Sequence, residues 1–490
     1  MSRFDLVVRG GTVVTAADRF PADIGIHDGR IAALGDSLDR GEEELDASGR
    51  LVLPGGIDSH VHLDQPSPET GARSANDFRS GSISAACGGN TTILPFVRQL
   101  KGQSLRQAVD DYHERADGRS AIDYAFHLIV ADPTAQVLGQ ELPALFHDGY
   151  TSVKVYMTYD SLKLADGEIL RVLDVVREHG AMTMVHAENA DCIAWLTEKL
   201  LDRGHSAPKY KALAHAPPEE REATHRAITL AELAGVPILI VHVASGEAAE
   251  QIRWAQRRGL RVYAETCPQY LFLTEADIDK PDMEGAKCIC APPPGSAENQ
   301  RALWGAFDTG VFQVFSSDHA PFRYDDPRGK LVHGPNPPFN RITNGLPGIE
   351  ARMPMLFSGA VATGRMDIHR FVALTSTNAA KLYGLYPRKG TIAIGSDADL
   401  AIWDPEREVV MSVDILHDEM DYTPYEGTKV TGWPVATLLR GEVVCRDFEF
   451  TGAAGAGRFL RCEAPLRPAS WRAPGVRTAV DRGHRPMPST

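Results

Sequence analysis

The chain has 490 residues, 43% of them hydrophobic, which is enough for two or three domains with sizeable cores. A formal net charge of -14 argues against binding a polyanion, and no apolar run approaches the ~18 residues of a membrane span, so neither nucleic acid nor a membrane is an expected partner. The N-terminus has no signal-peptide core and the seven scattered cysteines make no disulfide framework, so a cytoplasmic protein with reduced thiols is expected.

Taken in chain order, residues 1–52 hold short strands joined by turn residues: DLVVRGGTVV, ADIGIHDGRIAALG and RLVL. From Leu51 onward, β-branched apolar runs alternate with amphipathic segments. The runs are LVLPGGIDSHVH, NTTILPF, DYAFHLIV, TSVKVYM, MTMVHAEN, PILIVHVAS, RVYAETCP and VFQVFSSDHA. Between them SLRQAVDDYHERADG, TAQVLGQELPALFHDG, DGEILRVLDVVREHG, PPEEREATHRAITLAELAG and GEAAEQIRWAQRRG read as helices, several opening on Ser, Thr or Asp and closing on Gly. Eight such units predict an α/β fold, a (β/α)8 TIM-like barrel over residues 53–384, with its active site at the C-terminal ends of the strands. TIAIGSDADLAIWD and ATLLRGEVVCRD repeat the style of the N-terminus, so residues 1–52 and 385–451 are expected to form a small β-sandwich domain from both termini. Residues 452–490 are rich in Gly, Ala, Pro and Arg and read as an arm or partly disordered tail, whose Trp471 and basic residues are available to dock on a neighbouring subunit.

Polar residues punctuate the strand ends. In GGIDSHVHLD, His60 and His62 stand two apart and share a strand face, where they can grip one metal ion together. Lys154 lies within the fourth strand, His186 ends the fifth, His242 the sixth and Asp318 the eighth. Any one of these fits an ordinary hydrogen-bonded core residue, but independent core residues have no reason to gather at the active end of five strands. Lys154 would have to bury its ammonium, which is costly unless the charge is paired, with Glu188 or Asp318 for example, or removed. A buried lysine readily loses its proton, and the free amine can capture carbon dioxide as a carbamate with two metal-bridging oxygens. Cys288-x-Cys290 has no second close pair and reads as strand packing rather than a metal site.

The segments PGGIDSHVHLD, DGYTSVKVYMTY, MVHAEN, VHVASGEAAEQI, AETCPQYLFL, SSDHAPF and LYPRKGTIAIGSDADLAIWDP together resemble the cyclic amidohydrolases of the amidohydrolase superfamily, nearest to D-hydantoinases and dihydropyrimidinases. The resemblance spans all but the last 40 or so residues. It implies a barrel with a β-sandwich, two zinc ions, a carboxylated lysine and a homotetramer. Carried over by position, His60, His62, carboxylated Lys154 and Asp318 hold one zinc, and His186, His242 and the same Lys154 the other. The implied reaction is attack of activated water on a ring carbonyl, opening hydantoin or dihydropyrimidine rings to N-carbamoyl amino acids. Asp318 shuttles the proton and Tyr159 donates to the oxyanion. The family also holds its ring near a Ser-Pro-Pro segment and an Asn-Gly turn. Asn344 matches the turn, while Ala291 stands where the serine is expected.

Dihydroorotases follow the histidine pair with an arginine, whereas Asp64 does so here through HVHLDQP, which disfavours dihydroorotate. Arg73, Arg98, Lys163 and Arg323 sit in loops expected to frame the exocyclic substituent, and a polar or anionic substituent is the corresponding hypothesis. Other cyclic imides or amides on the same metal centre are an alternative. A non-catalytic relative, of the kind the collapsin response mediator proteins are to dihydropyrimidinases, is a remote one because every matched ligand is present.

Overall fold

Leu51–Pro54 and Gly56–Val61, expected as one strand, belong to two different sheets in the computed structural model, which describes residues 4–466. Pro54 has no N–H to extend a ladder, and a Cβ at Gly55 or Gly56 would fall on the Thr91 side chain or on Met353 Sδ. The chain therefore crosses from one sheet to the other at the glycine pair, pressed against its neighbours, with no linker between.

The barrel strands are β1 (Gly56–Val61), β2 (Asn90–Arg98), β3 (His127–Ile129), β4 (Ser152–Tyr156), β5 (Met182–His186), β6 (Ile238–Ile240), β7 (Val262–Thr266) and β8 (Val314–Phe315). Each pairs in parallel with the one before it. A parallel bridge from Val61 to His319, just past β8, closes the ring. This is the eight-stranded barrel expected from the alternation of strand and helix.

Side-chain alternation sorts the strands into two cores. On β4, Val153 and Val155 face the helices, and Lys154 and Tyr156 face the barrel axis; on β5, Val185 faces out, and Met182 and Met184 face in. The surrounding helices bury one stripe each. Asp166–His179 does so with Ile169, Val172, Leu173 and Val176, at the i, i+3, i+4, i+7 spacing. Leu105–Ala116 and Gly246–Arg257 begin where the Ser104 and Ser245 hydroxyls accept from the backbone N–H of Gln107 and Ala248.

The second sheet is built from both termini. Leu6–Val14, Arg19–His27 and Arg30–Gly35 join Leu400–Val410 and Lys429–Leu439 through the antiparallel pairing of Leu51–Pro54 with Leu400–Val410. Residues 452–466, read from sequence as the start of a loose arm, run across the N-terminal ends of the barrel strands. The Leu460 N–H donates to the Tyr124 carbonyl at 2.7 Å, and the Cys462 N–H to Gly149 at 2.9 Å. Trp471 and the rest of the tail lie outside the described residues. Cys288 and Cys290 do not lie in a strand: Cys288 closes a short 3-10 turn, and the three prolines after Ala291 have no N–H to pair. Among the described residues no helix is long and apolar enough to cross a membrane.

Two polar contacts fasten the units together. Lys389, 1% exposed, places Nζ 2.7 Å from Asp123 at the barrel base, 3.1 Å from Asp397 and 2.5 Å from Asp399. Replacing it with methionine would leave the buried Asp399 without a cation, while Asp123 keeps Arg440 and Asp397 keeps Arg388, and Lys389→Met is expected to destabilise the protein by about 3–5 kcal/mol in denaturant unfolding. His417, in the segment between Leu400–Val410 and Lys429–Leu439, holds Nδ1 2.9 Å from Glu350 of the barrel. Its hydrogen bond to Glu350 raises its pKa to about 9 from the ordinary 6.5. A raised folded-state pKa stabilises fully below the unfolded value and ceases to do so as pH rises through the folded one. The unfolding midpoints of the unchanged protein and His417→Gln should therefore differ at pH 6 and converge as pH climbs from about 6.5 to about 9.

Candidate metal centre and active site

At the C-terminal ends of the strands opens a cavity with His62, Lys154, His186, His242 and Asp318 in its wall. His60 is fully buried just beneath it. All six residues expected as metal ligands are thus brought together.

His60, His62 and Asp318 meet across the seam between β1 and the turn after β8. Asp318 Oδ1 lies 3.1 Å from His60 Nε2 and 3.6 Å from His62 Nε2. Asp58, on β1, accepts the Ser317 N–H at 3.1 Å, while the His62 N–H donates to the His319 carbonyl at 2.7 Å. His319 itself is locked, with Nε2 2.8 Å from Asn76 Oδ1 and Nδ1 accepting from the Gly348 N–H at 3.1 Å. Burial works to raise the Asp318 pKa, but His60, His62 and Lys154 overcome it and hold the carboxylate down to about 2.

On the other side of the cavity, His242 Nε2 faces His186 Nδ1 at 2.9 Å. The opposite ring nitrogen of His186, Nε2, is 2.7 Å from Glu188, whose other oxygen is 2.5 Å from His215 Nδ1. With Nε2–H donating to that carboxylate, His186 presents a bare Nδ1 lone pair into the site. Burial holds His242 well below the usual imidazole range, so it is neutral. Two ring nitrogens aimed at one point, beside two histidines and a carboxylate, form a donor set suited to zinc or a related divalent ion. Glu265 plays for His60 the part Glu188 plays for His186, with Oε1 2.6 Å from Nδ1, so that Nε2 turns inward.

Lys154 lies between the two groups. Its Nζ is 2.9 Å from His60 Nε2 and sits 4.2 Å above the Phe96 ring and 4.9 Å from that of Tyr156. Among the described residues no carboxylate comes within ion-pair distance of it. The Glu188 partner considered from sequence is instead committed to His186 and His215. Burial pulls the ammonium down to about 8, against the attraction of Asp318 and Glu265.

Tyr159, Ala291 and Asn344 line the same cavity. The Tyr159 ring centre is 5.2 Å from that of His186, and burial pushes its hydroxyl well above the usual range, so it stays protonated and able to donate. Asn344 Nδ2 donates to Glu69 at 2.5 Å. Of the four loop cations, Lys163 pairs with Asp160 at 2.6 Å and Arg323 with Asp325 at 2.7 Å, and Arg73 lines a separate hollow beside Asp64. Arg98 alone of these reaches the cavity. Glu265, His215 and Glu69 escaped the sequence reading. Glu265 had a usable signal, a carboxylate ending a strand in AETCPQ, whereas His215 and Glu69 sit in loops whose return to the site only the fold reveals.

Tyr159, His242 and Asp318 all have left-handed backbones, with φ of 64°, 38° and 50°. Non-glycine residues adopt that conformation at a cost and gather at functional sites.

The sequence from 51 to 444 matches the model of the amidohydrolase family. A D-hydantoinase of Geobacillus stearothermophilus is 46% identical over 93% of this chain and 96% of its own length. Among solved structures, a D-hydantoinase superposes with a TM-score of 0.91 at 44% identity, covering 94% of this chain and 99% of its own. A dihydropyrimidinase from Brevibacillus agri does so with a TM-score of 0.91 at 42% identity, over the same shares of the two chains. A barrel with histidines, a lysine and an aspartate gathered at its C-terminal mouth, and these likenesses over nearly the full length, lead to one conclusion: the chain belongs to the amidohydrolase family, whose members work through a divalent metal centre.

Proposed function

We propose that this protein is a binuclear zinc hydrolase that opens hydantoin or dihydropyrimidine rings, cleaving a cyclic amide C–N bond to release an N-carbamoyl amino acid. The observation that carries this is the convergence of four histidines, Lys154 and Asp318 in one cavity of a chain so similar to D-hydantoinases. His60, His62 and Asp318 would hold one ion and His186 and His242 the other, with Lys154, carboxylated, shared between them. Burial lowers the Lys154 pKa to about 8, which makes the free amine that adds carbon dioxide more available, and two divalent ions would balance the charge of the carbamate formed, which supports that modification. Bound divalent ions supply a water acidified toward neutral pH and a polarised carbonyl.

The protein's own groups do the rest. Asp318, ionised at neutral pH, takes a proton from the attacking water and returns it to the departing ring nitrogen as the C–N bond breaks. Tyr159 donates its hydroxyl proton in a hydrogen bond to the oxygen on which negative charge develops. Ala291 and Asn344, on the same cavity wall, orient the ring. An odd number of scattered cysteines, unlike a disulfide framework, supports a cytoplasmic location. A homotetramer is supported by the helix Ala190–Leu201, which buries no residue within the chain and leaves Trp195 59% exposed.

The test is metal content measured together with hydrolysis of dihydrouracil and a 5-substituted hydantoin. Two zinc ions per chain, ring opening abolished by chelation and restored by zinc, and a fall of about 10³-fold in Asp318→Ala are expected. Zinc-loaded protein that opens neither ring would refute the assignment. Removing one oxyanion donor costs about 100-fold in kcat, so Tyr159→Phe should keep its zinc and lose turnover on that scale, with KM changing far less.

A further inference from the structure

Arg98 ends β2 on the wall of the active cavity, beside His62 and Tyr156. Its Nη1 donates to the Pro66 carbonyl at 2.7 Å, which fixes the guanidinium plane, and its remaining N–H groups have no protein acceptor among the described residues. Burial depresses its pKa, and the groups that act against this are tyrosines, not a carboxylate. Asp64, two residues past the histidine pair, faces Arg115, Arg119 and Arg73, and Glu69 is held on the Asn344 side of the cavity near Lys211. The guanidinium is only partly buried and has no counter-ion among the described residues, and the remaining donors of its planar fork match a carboxylate.

We propose that Arg98 is a specificity residue that receives an anionic substituent, so that the preferred substrates are cyclic ureides or amides whose ring side chain ends in a carboxylate. The inference rests on the ring-opening reading above and narrows its substrate class. It distinguishes Arg98 from Lys163 and Arg323, whose charges are already matched by Asp160 and Asp325.

The experiment compares 5-(2-carboxyethyl)hydantoin with its carboxamide, which has nearly the same shape and no charge, on the zinc-loaded protein. A hydrogen-bonded charge pair of ordinary strength predicts that kcat/KM favours the acid by about 10-fold or more, chiefly through KM, and that added salt erodes the preference. In Arg98→Leu the acid-to-amide ratio should collapse to about one or below, and Arg98→Lys should recover part of it. Because both substrates meet the same preparation, a loss of folding or metal loading cancels from the ratio. Equal turnover of acid and amide by the unchanged protein, or a preference that survives Arg98→Leu, would overturn the proposal and leave the hydrolase reading standing. Failure to open either hydantoin would overturn this inference, and failure to open dihydrouracil as well would overturn the hydrolase reading with it.

Discussion

The seam where β1 meets the turn after β8 governs the rest of the site. A barrel closes only if its first and last strands find each other, and here the closing bonds run through the residues that flank the donors: Asp58 to Ser317, and His62 to His319. The hydrogen bonds that finish the fold also set Asp318 against His60 and His62. Stability and chemistry share the same atoms, so a substitution that loosens the closure displaces the carboxylate that must move the proton.

Around that seam the site is organised by pairs of inner and outer groups. Glu265 orients His60, and Glu188, braced by His215, orients His186. In each case a buried carboxylate accepts a hydrogen bond from one ring N–H so that the other nitrogen is free to face the cavity. These carboxylates are themselves expensive to bury, and the imidazoles that they orient are the partners that make the burial tolerable. Lys154 is the exception, a cationic residue placed on the barrel axis by strand alternation with aromatic rings where a carboxylate would be expected.

Much of this was legible in the sequence because period-two and helical patterning are local. The apolar runs located the barrel strands, and the polar residues that interrupted their ends marked the ligand candidates His60, His62, Lys154, His186, His242 and Asp318. What the pattern concealed was non-local. The run LVLPGGIDSHVH reads as a single strand because nothing in its apolarity records that Thr91 and Met353 press on the two glycines and divide it between sheets. The start of the tail offered no period to read: between 452 and 466 it is held by backbone hydrogen bonds to the barrel base and by Phe459 and Leu460, which pack singly among barrel residues. His215 and Glu69 belong to loops, and only the completed fold returns them to the centre.

The left-handed backbones at Tyr159, His242 and Asp318 bear on how such a protein can change. Each position would be more comfortable as glycine, which pays no Cβ penalty there, and each carries instead a side chain that the chemistry calls on. Left-handed non-glycine backbones also occur at Asp28, Arg440, Asp447 and Phe448, in and beside the sheet shared by the two termini, where replacement by glycine would relieve the same Cβ strain without touching the cavity.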